Sequence, residues 1–350
     1  AQGPRVRQFE DAIAARLDAN AAIAVSSCTT GLHLSLIGAG VGAGDDVIVP
    51  SLSFIATANA VRYCGANPVF ADVDPTSQNV TADTIQAVMT TKTRAVILVH
   101  QVGMPADIDA LGAVCKEAGA VLIEDAACAM GSTYKGREIG GHSDFVVFSF
   151  HPRKVLTTGE GGLLTCRDPQ IGSRLRTLRQ HAMSLSDVDR HTSQSYVFEQ
   201  YPELGYNYRM TDIQAAIGLV QLGKLDAMVT RRRELAAAYR AKLADLDGLQ
   251  LPDDPAFGTT NYQSFCIKLL DGGQQRRNAI LQHLADRQIG AKRGIMACHL
   301  EAAYRDFPHG PLPETERWSQ ASLTLPLFHT MTEEEMDTVV VTVREAMSLF

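Results

Sequence analysis

From about residue 21 to residue 166, short apolar runs alternate with stretches of helical spacing. "AAIAVSS" (21–27), "DVIVP" (46–50), "NPVFADV" (67–73), "RAVILVH" (94–100), "AVLIED" (120–125), "DFVVFSF" (144–150) and "GLLTC" (162–166) read as strands. Helical candidates lie between the first five, near 30–40, 54–64, 81–91 and 105–119. Strands separated by helices imply crossover connections and a mainly parallel sheet covered on both faces. The last two strands are joined only by a turn, which permits an antiparallel neighbour there. A long helical stretch then starts at Thr211 or Asp212, either of which can cap it. It is expected to join a large domain, residues 1–225, to a smaller α+β domain, residues 226–350. The smaller domain contains the strand "YQSFCIKLL", a helix near 275–288 and a closing helix. Thr332 and Glu335 stand at capping-box spacing before that last helix.

Composition narrows the function classes. The 45% hydrophobic and 20% charged content is that of a globular chain. A net charge of −7 argues against a general nucleic-acid binder. Absence of a long uncharged apolar run argues against a membrane span, and the start "AQGPRVRQFE" shows no signal-peptide core. The seven cysteines are scattered, without a CxxC pair, so neither a zinc site nor a disulfide framework is suggested. A reducing cytoplasm fits this usage.

In parallel sheets, ligands gather at the carboxyl ends of strands, so the residues found there carry the chemistry. The first strand runs into "SSCTTG", which places Ser26, Ser27, Thr29 and Thr30 at a helix start. Free N–H groups there suit an anion, and N-capping by a single hydroxyl is the competing reading. The fifth strand ends at Glu124-Asp125, where a carboxylate serves a ligand, a metal or the backbone of the next turn. The sixth ends in "SFHPRK", adding Ser149, His151 and Lys154. Gly159, Gly161 and Gly162 follow Lys154 and lead into a strand, the reverse of a P-loop. They read as the turn that holds the lysine. Hydroxyls at a helix start, an acid and a lysine suit a cofactor with a phosphate, a basic ring nitrogen and an aldehyde. Pyridoxal 5'-phosphate (PLP) has all three. GxGxxG and clustered His/Cys are missing, which disfavours a dinucleotide or a metal.

Several segments, in order, resemble the DegT/DnrJ/EryC1/StrS family of sugar aminotransferases. They are "GPRVRQFE", "DDVIVPSLSFIATANAVRYCGANPVFADVDP", "VHQVGMPADIDA", "IEDAACAMGSTYKGREIG", "FSFHPRKVLTTGEGG", "GYNYRMTDIQAAIGL" and, more loosely, "LPETERWSQASLTLPLFHTMTEEEMD". The resemblance implies an α/β PLP fold of type I, with a mainly parallel central sheet. It implies that Lys154 is the Schiff-base lysine and Asp125 the acid facing the pyridine nitrogen. Thr29, Thr30 and Ser149 match positions around the phosphate. Asn207 matches an asparagine that reaches the neighbouring subunit's cofactor, which implies a homodimer. Phe54 is the candidate for packing on the ring, against the alternative of a core phenylalanine on a helix. His181, His299 and Tyr304 are candidates for contact with the sugar, against packing.

Two positions depart from the family pattern. Cys128 stands where Gln or His is usual, three residues after the aspartate, and is a poorer hydrogen-bond donor. Cys28 stands where glycine is common. The chain begins near the "GPRVRQFE" segment, so the resemblance implies a further stretch upstream that helps shape the substrate site. The implied reaction moves an amino group from L-glutamate, through pyridoxamine phosphate, to C3 or C4 of a nucleotide-linked keto sugar. A non-nucleotide keto sugar, keto-cyclitol or eight-carbon sugar acid is the alternative acceptor. Sugar-dehydrating relatives replace the lysine with histidine, and a non-catalytic regulator would be expected to have lost Lys154, Asp125 or the phosphate hydroxyls, all of which are present.

Overall fold

The computed structural model describes residues 2–184 and 198–349. Its first half contains β1 (Ala21–Val25), β2 (Asp46–Pro50), β3 (Asn67–Ala71), β4 (Thr93–Val99) and β5 (Val121–Asp125). Two-residue strands β6 (Thr133–Tyr134) and β7 (Arg137–Glu138) precede β8 (Phe145–Ser149) and β9 (Gly162–Cys166). The central sheet has the order β1-β9-β8-β5-β4-β2-β3. β9 runs antiparallel to both β1 and β8, and the remaining pairs are parallel. The antiparallel neighbour permitted by the short turn after Phe150 is therefore β9.

Every residue of β8 is buried, as a strand covered on both faces requires. Val146 and Phe148 face a core with Val6, Phe9 and Ile13 of α1 (Pro4–Leu17). Phe145 and Val147 face the opposite core, with Leu32 of α2 (Cys28–Gly38) and Ala58 of α3 (Ala56–Tyr63). Fully burying such side chains contributes about 1.5–3 kcal/mol each. Gly31 lets α2 lie close to the sheet, because a Cβ there would stand 2.6 Å from Val147.

The predicted helix over 81–91 contracts to α4 (Ala82–Gln86). In the threonine-rich segment that follows, the Thr93 hydroxyl accepts from the Thr90 N–H and the Thr90 hydroxyl from the Lys92 N–H. Such local bonds compete with helix. α5 (Ile108–Ala118) and α6 (Pro169–Leu178) complete the connections around the sheet. The long helix expected from residue 211 is two: α7 (Asp212–Leu222) and α8 (Leu225–Leu243), interrupted at Gly223-Lys224. Thr211 caps α7 through a reciprocal bond with Gln214. Asp212 instead accepts from the Gly3 and Val6 N–H groups, at 2.9 and 3.0 Å, and so caps α1.

α8 reaches two cores, with Leu225, Met228 and Val229 in the first and Leu235, Tyr239 and Leu243 in a third. That third core includes Phe265, Ile267 and Leu269 from an antiparallel sheet of β10 (Leu249–Gln250), β12 (Phe265–Leu269), β14 (Ser322–Leu325) and β13 (Lys292–Arg293). β11 (Gly258–Thr259) pairs instead with β6. α9 (Gly273–Asp286) and α11 (Glu333–Leu349) pack on it through Ile280, Leu284, Val339 and Val343. The Thr332–Glu335 capping box forms as expected. α10 (Pro313–Ala321) and β14 were not anticipated, since one follows the other without a turn signal. Among the described residues, no helix is long and apolar enough to cross a membrane.

Candidate active site

β5 delivers Asp125 to the carboxyl edge of the sheet, where the side chain is 5% exposed. Its Oδ2 accepts from the Thr57 hydroxyl at 3.0 Å, and Oδ1 from the Ala127 N–H at 3.1 Å. Thr57 lies on α3 and is itself 2.9 Å from the Ser53 hydroxyl. Cys28, the first residue of α2, places its sulfur 3.9 Å from Asp125 Oδ1. Burial pushes the Asp125 carboxyl above the ordinary carboxylate range, against the opposing pull of Ala127, Thr57 and Lys154.

Lys154 comes from the turn between β8 and β9. Phe150 anchors that turn at both ends: its N–H donates to Gly161 C=O, and its own C=O accepts from Thr158 N–H and the Thr157 hydroxyl. Gly159 has φ +83°, a conformation that favours glycine. At Gly162 a Cβ would stand 2.5 to 2.7 Å from the backbone of Ser27 and Cys28. Glycine there allows the returning strand to pass beside the start of α2. The Lys154 amine donates to the Cys128 sulfur at 3.1 Å. Burial alone lowers its pKa, but Cys128, Cys28 and Asp125 outweigh that and hold it above the usual lysine value. Lys154, Cys128, Cys28 and Asp125 thus form one electrostatically connected cluster.

The hydroxyls divide between fold and site. Ser27 caps α2, and the Thr30 hydroxyl is engaged in the same capping box, donating to Ser27 C=O at 2.8 Å. The N-capping reading of this stretch therefore holds for those two residues. The Thr29 side chain has no hydrogen-bond partner among the described residues. Ser149 Oγ accepts a long bond, 3.4 Å, from the His151 N–H. Phe54 is neither core nor helical: it is 67% exposed, in the turn before α3. Asn207 is exposed and accepts from Arg209 at 3.0 Å.

The sequence matches the DegT/DnrJ/EryC1/StrS aminotransferase family over residues 1–344. The chain belongs to that family. It is similar to the aminotransferase TlmJ from Streptoalloteichus hindustanus, with 37% identity and a TM-score of 0.91 over 99% of this chain and 92% of that one. DesI, solved in the presence of its TDP-sugar product, is 33% identical, with a TM-score of 0.89 over 99% and 86%. Spr1654 from Streptococcus pneumoniae is 26% identical, with a TM-score of 0.94 over 99% and 93% in its PMP form, and is also solved in a PLP form.

This sugar aminotransferase is PLP-dependent, and the fold is that of the type I PLP enzymes. The donor set fits such a cofactor. A buried carboxylate, an amine that donates to a thiol, and a helix start with an unengaged threonine hydroxyl converge on one edge of the sheet. No group of three or more His, Cys, Asp or Glu residues able to hold a metal lies among the described residues.

Other polar residues singled out in the sequence sit differently. His299 is 2% exposed, with Nδ1 2.7 Å from the Ser51 hydroxyl. Tyr304 is 3% exposed and donates to Asn59 Oδ1 at 2.7 Å. Both fasten the segment around residue 300 to the sheet edge. His181 is exposed, at φ +66°, and its N–H donates to Tyr206 C=O at 2.9 Å. The sequence reading missed Thr57, Asn261 and Gln263. Thr57 had a signal, standing one turn beyond Phe54 in "SFIATAN". The other two had none.

Proposed function

We propose that the protein moves the amino group of L-glutamate to a keto carbon, C3 or C4, of a nucleotide-linked sugar. The observation that carries the chemistry is the cluster at the carboxyl edge of the sheet in which the Lys154 amine, donating to Cys128, lies within electrostatic reach of the buried Asp125 carboxylate. PLP, when bound, supplies an aldehyde that takes up an amino nitrogen and a ring that stores the electron pair. Lys154 is assigned the covalent hold on that aldehyde and, once released, the proton transfer at the substrate carbon. Asp125, kept in place by Thr57 and Ala127, would hold the pyridine nitrogen of the bound cofactor. Thr29, Thr30 and Ser149 are assigned to the phosphate end, where Thr30 would act while retaining its cap. Phe54 is assigned to the ring face. Cys128, the thiol beside Lys154, is assigned to the ring oxygen.

The nucleotide-sugar reading is supported by likeness to DesI with its TDP-sugar product. A homodimer, with Asn207 reaching the partner's cofactor, is supported by an uncovered stripe on α7. Ile213, Ile217 and Val220 are 77%, 44% and 59% exposed at spacings of four and three, which places them on one helix face. A second copy is the occupant this family assignment favours.

The test is a coupled assay of 2-oxoglutarate release from L-glutamate across 3-keto and 4-keto nucleotide sugars. Turnover with at least one is expected. Turnover with a keto-cyclitol or an eight-carbon sugar acid alone would overturn the nucleotide-sugar reading. Lys154→Ala should lose about a thousandfold or more in turnover. Full activity in that variant would remove Lys154 from the mechanism.

A further inference from the structure

We infer that Gln263 is a positioning residue for Lys154, and that through it the C-terminal sheet is tied to the reacting amine. The inference rests on the assignment of Lys154 given above. Gln263 Oε1 accepts from the Val155 N–H at 3.0 Å, and its Nε2 donates to the Arg153 C=O at 2.7 Å. One side chain therefore clamps the peptide groups on both sides of Lys154. The Gln263 N–H in turn donates to Asn261 Oδ1 at 2.8 Å.

Asn261 is fully buried and holds the other side of the site. Its Nδ2 donates to the carbonyls of Cys128 and Met130, both at 2.8 Å, and its N–H donates to the Ser132 hydroxyl at 3.0 Å. Because the Lys154 amine donates to the Cys128 sulfur, the contacts close a ring: Lys154, Cys128, Asn261, Gln263 and back to the lysine turn. The buried Arg232 of α8 fixes this segment from behind, donating to the carbonyls of Tyr262 and Gln263 at 2.8 and 2.7 Å. Between the two amides Tyr262 adopts φ +48°, an unfavourable conformation for an aromatic residue, which persists only where its surroundings impose it. β12 begins three residues after it, at Phe265.

Lysine has a long flexible side chain, so the position of its amine depends on a fixed backbone. Misplacing a reacting group by about 1 Å can cost on the order of a hundredfold in rate. The lysine turn lacks strand pairing of its own at residues 153–155. Gln263 supplies the missing backbone partners from more than one hundred residues away, the separation to Val155 being 108.

Gln263→Leu keeps the bulk and removes both bonds, whereas Gln263→Glu keeps the acceptor for Val155 and loses the donor to Arg153. Hydrogen exchange of the Val155 amide, measured without cofactor, should quicken by about tenfold or more in Gln263→Leu. In the holoenzyme kcat should fall about ten- to a hundredfold, with KM changed less than about threefold, and Gln263→Glu should lie between. A folded Gln263→Leu with unchanged exchange and kcat overturns the proposal. A rate loss that follows only the drop in Tm, without partial rescue by glutamate, overturns it too. Should Gln263→Leu not fold, Gln263→Glu decides by the same measurements. Faster Val155 exchange beside full turnover in Lys154→Ala would retain the clamp and reject the reading of the lysine.

Discussion

Glu124 and Asp125 are neighbouring carboxylates on β5, and strand alternation sends them to opposite faces of the central sheet. Glu124 is closed off. Its Oε2 lies 2.9 Å from His100 Nε2, and neither side chain is exposed. His100 Nδ1 accepts from the Ala106 N–H, which fixes the proton on Nε2, pointing at Glu124. Asp125 meets a hydroxyl, one backbone N–H, a distant thiol and, electrostatically, Lys154. The contrast teaches that residue type alone does not make a site. A carboxylate bound by a built-in base belongs to the fold, and one held by neutral donors beside a lysine is available to a ligand.

The strongest way to test that contrast is to neutralise each acid separately. Asp125→Asn should lower turnover by about a thousandfold, since the ring nitrogen then lacks an anionic partner. Without cofactor the same change should leave stability at neutral pH no lower than wild type. The sign follows from the raised pKa of Asp125 in the fold. The native state holds that proton more tightly than the unfolded chain does. The resulting stability is present in full below the ordinary carboxylate pKa and is lost as pH rises through the raised value. Thermal melts across the acid range should show this loss in wild type and not in Asp125→Asn. Glu124→Ala should do the opposite. Leaving the His100 N–H unpaired in the core should cost about 3 kcal/mol in denaturant unfolding, with turnover per folded molecule within a few-fold of wild type. If Glu124→Ala abolished turnover in folded protein, the division between the two faces would fail.

A finer test concerns the hydroxyl that steadies Asp125. Thr57→Val is nearly isosteric and removes the bond to Oδ2. kcat should fall about tenfold, with about 1 kcal/mol lost in unfolding. An unchanged kcat would mean that the Ala127 N–H alone suffices to orient the carboxylate.

The sheet was legible because strands buried on both faces are continuous apolar runs, and Asp125 and Lys154 were legible because each follows such a run. What could not be read has a common cause. Helical periodicity continues on both sides of Gly223, so the sequence pattern does not show the break between α7 and α8. Gln263 acts on Val155 across a long loop of chain, and no local spacing records that meeting. His299 and Tyr304 likewise meet partners distant in sequence, Ser51 and Asn59, which no local spacing records.

Cys128 offers the smallest and most discriminating change. Burial acts to lower the Lys154 pKa, and the adjacent sulfur is the largest influence raising it. Cys128→Ala removes the sulfur and leaves burial less opposed, so the amine should lose its proton at a lower pH. Labelling of Lys154 in the cofactor-free protein by an amine-reactive reagent, followed by mass spectrometry, should therefore begin at lower pH than in wild type. Cys128→Ser keeps a hydrogen-bond acceptor at that position, so it should fall between the two. A labelling profile unmoved in Cys128→Ala would mean that Asp125 and Cys28 hold the charge on Lys154 without it. The site would then depend on the Asp125 face of the sheet alone.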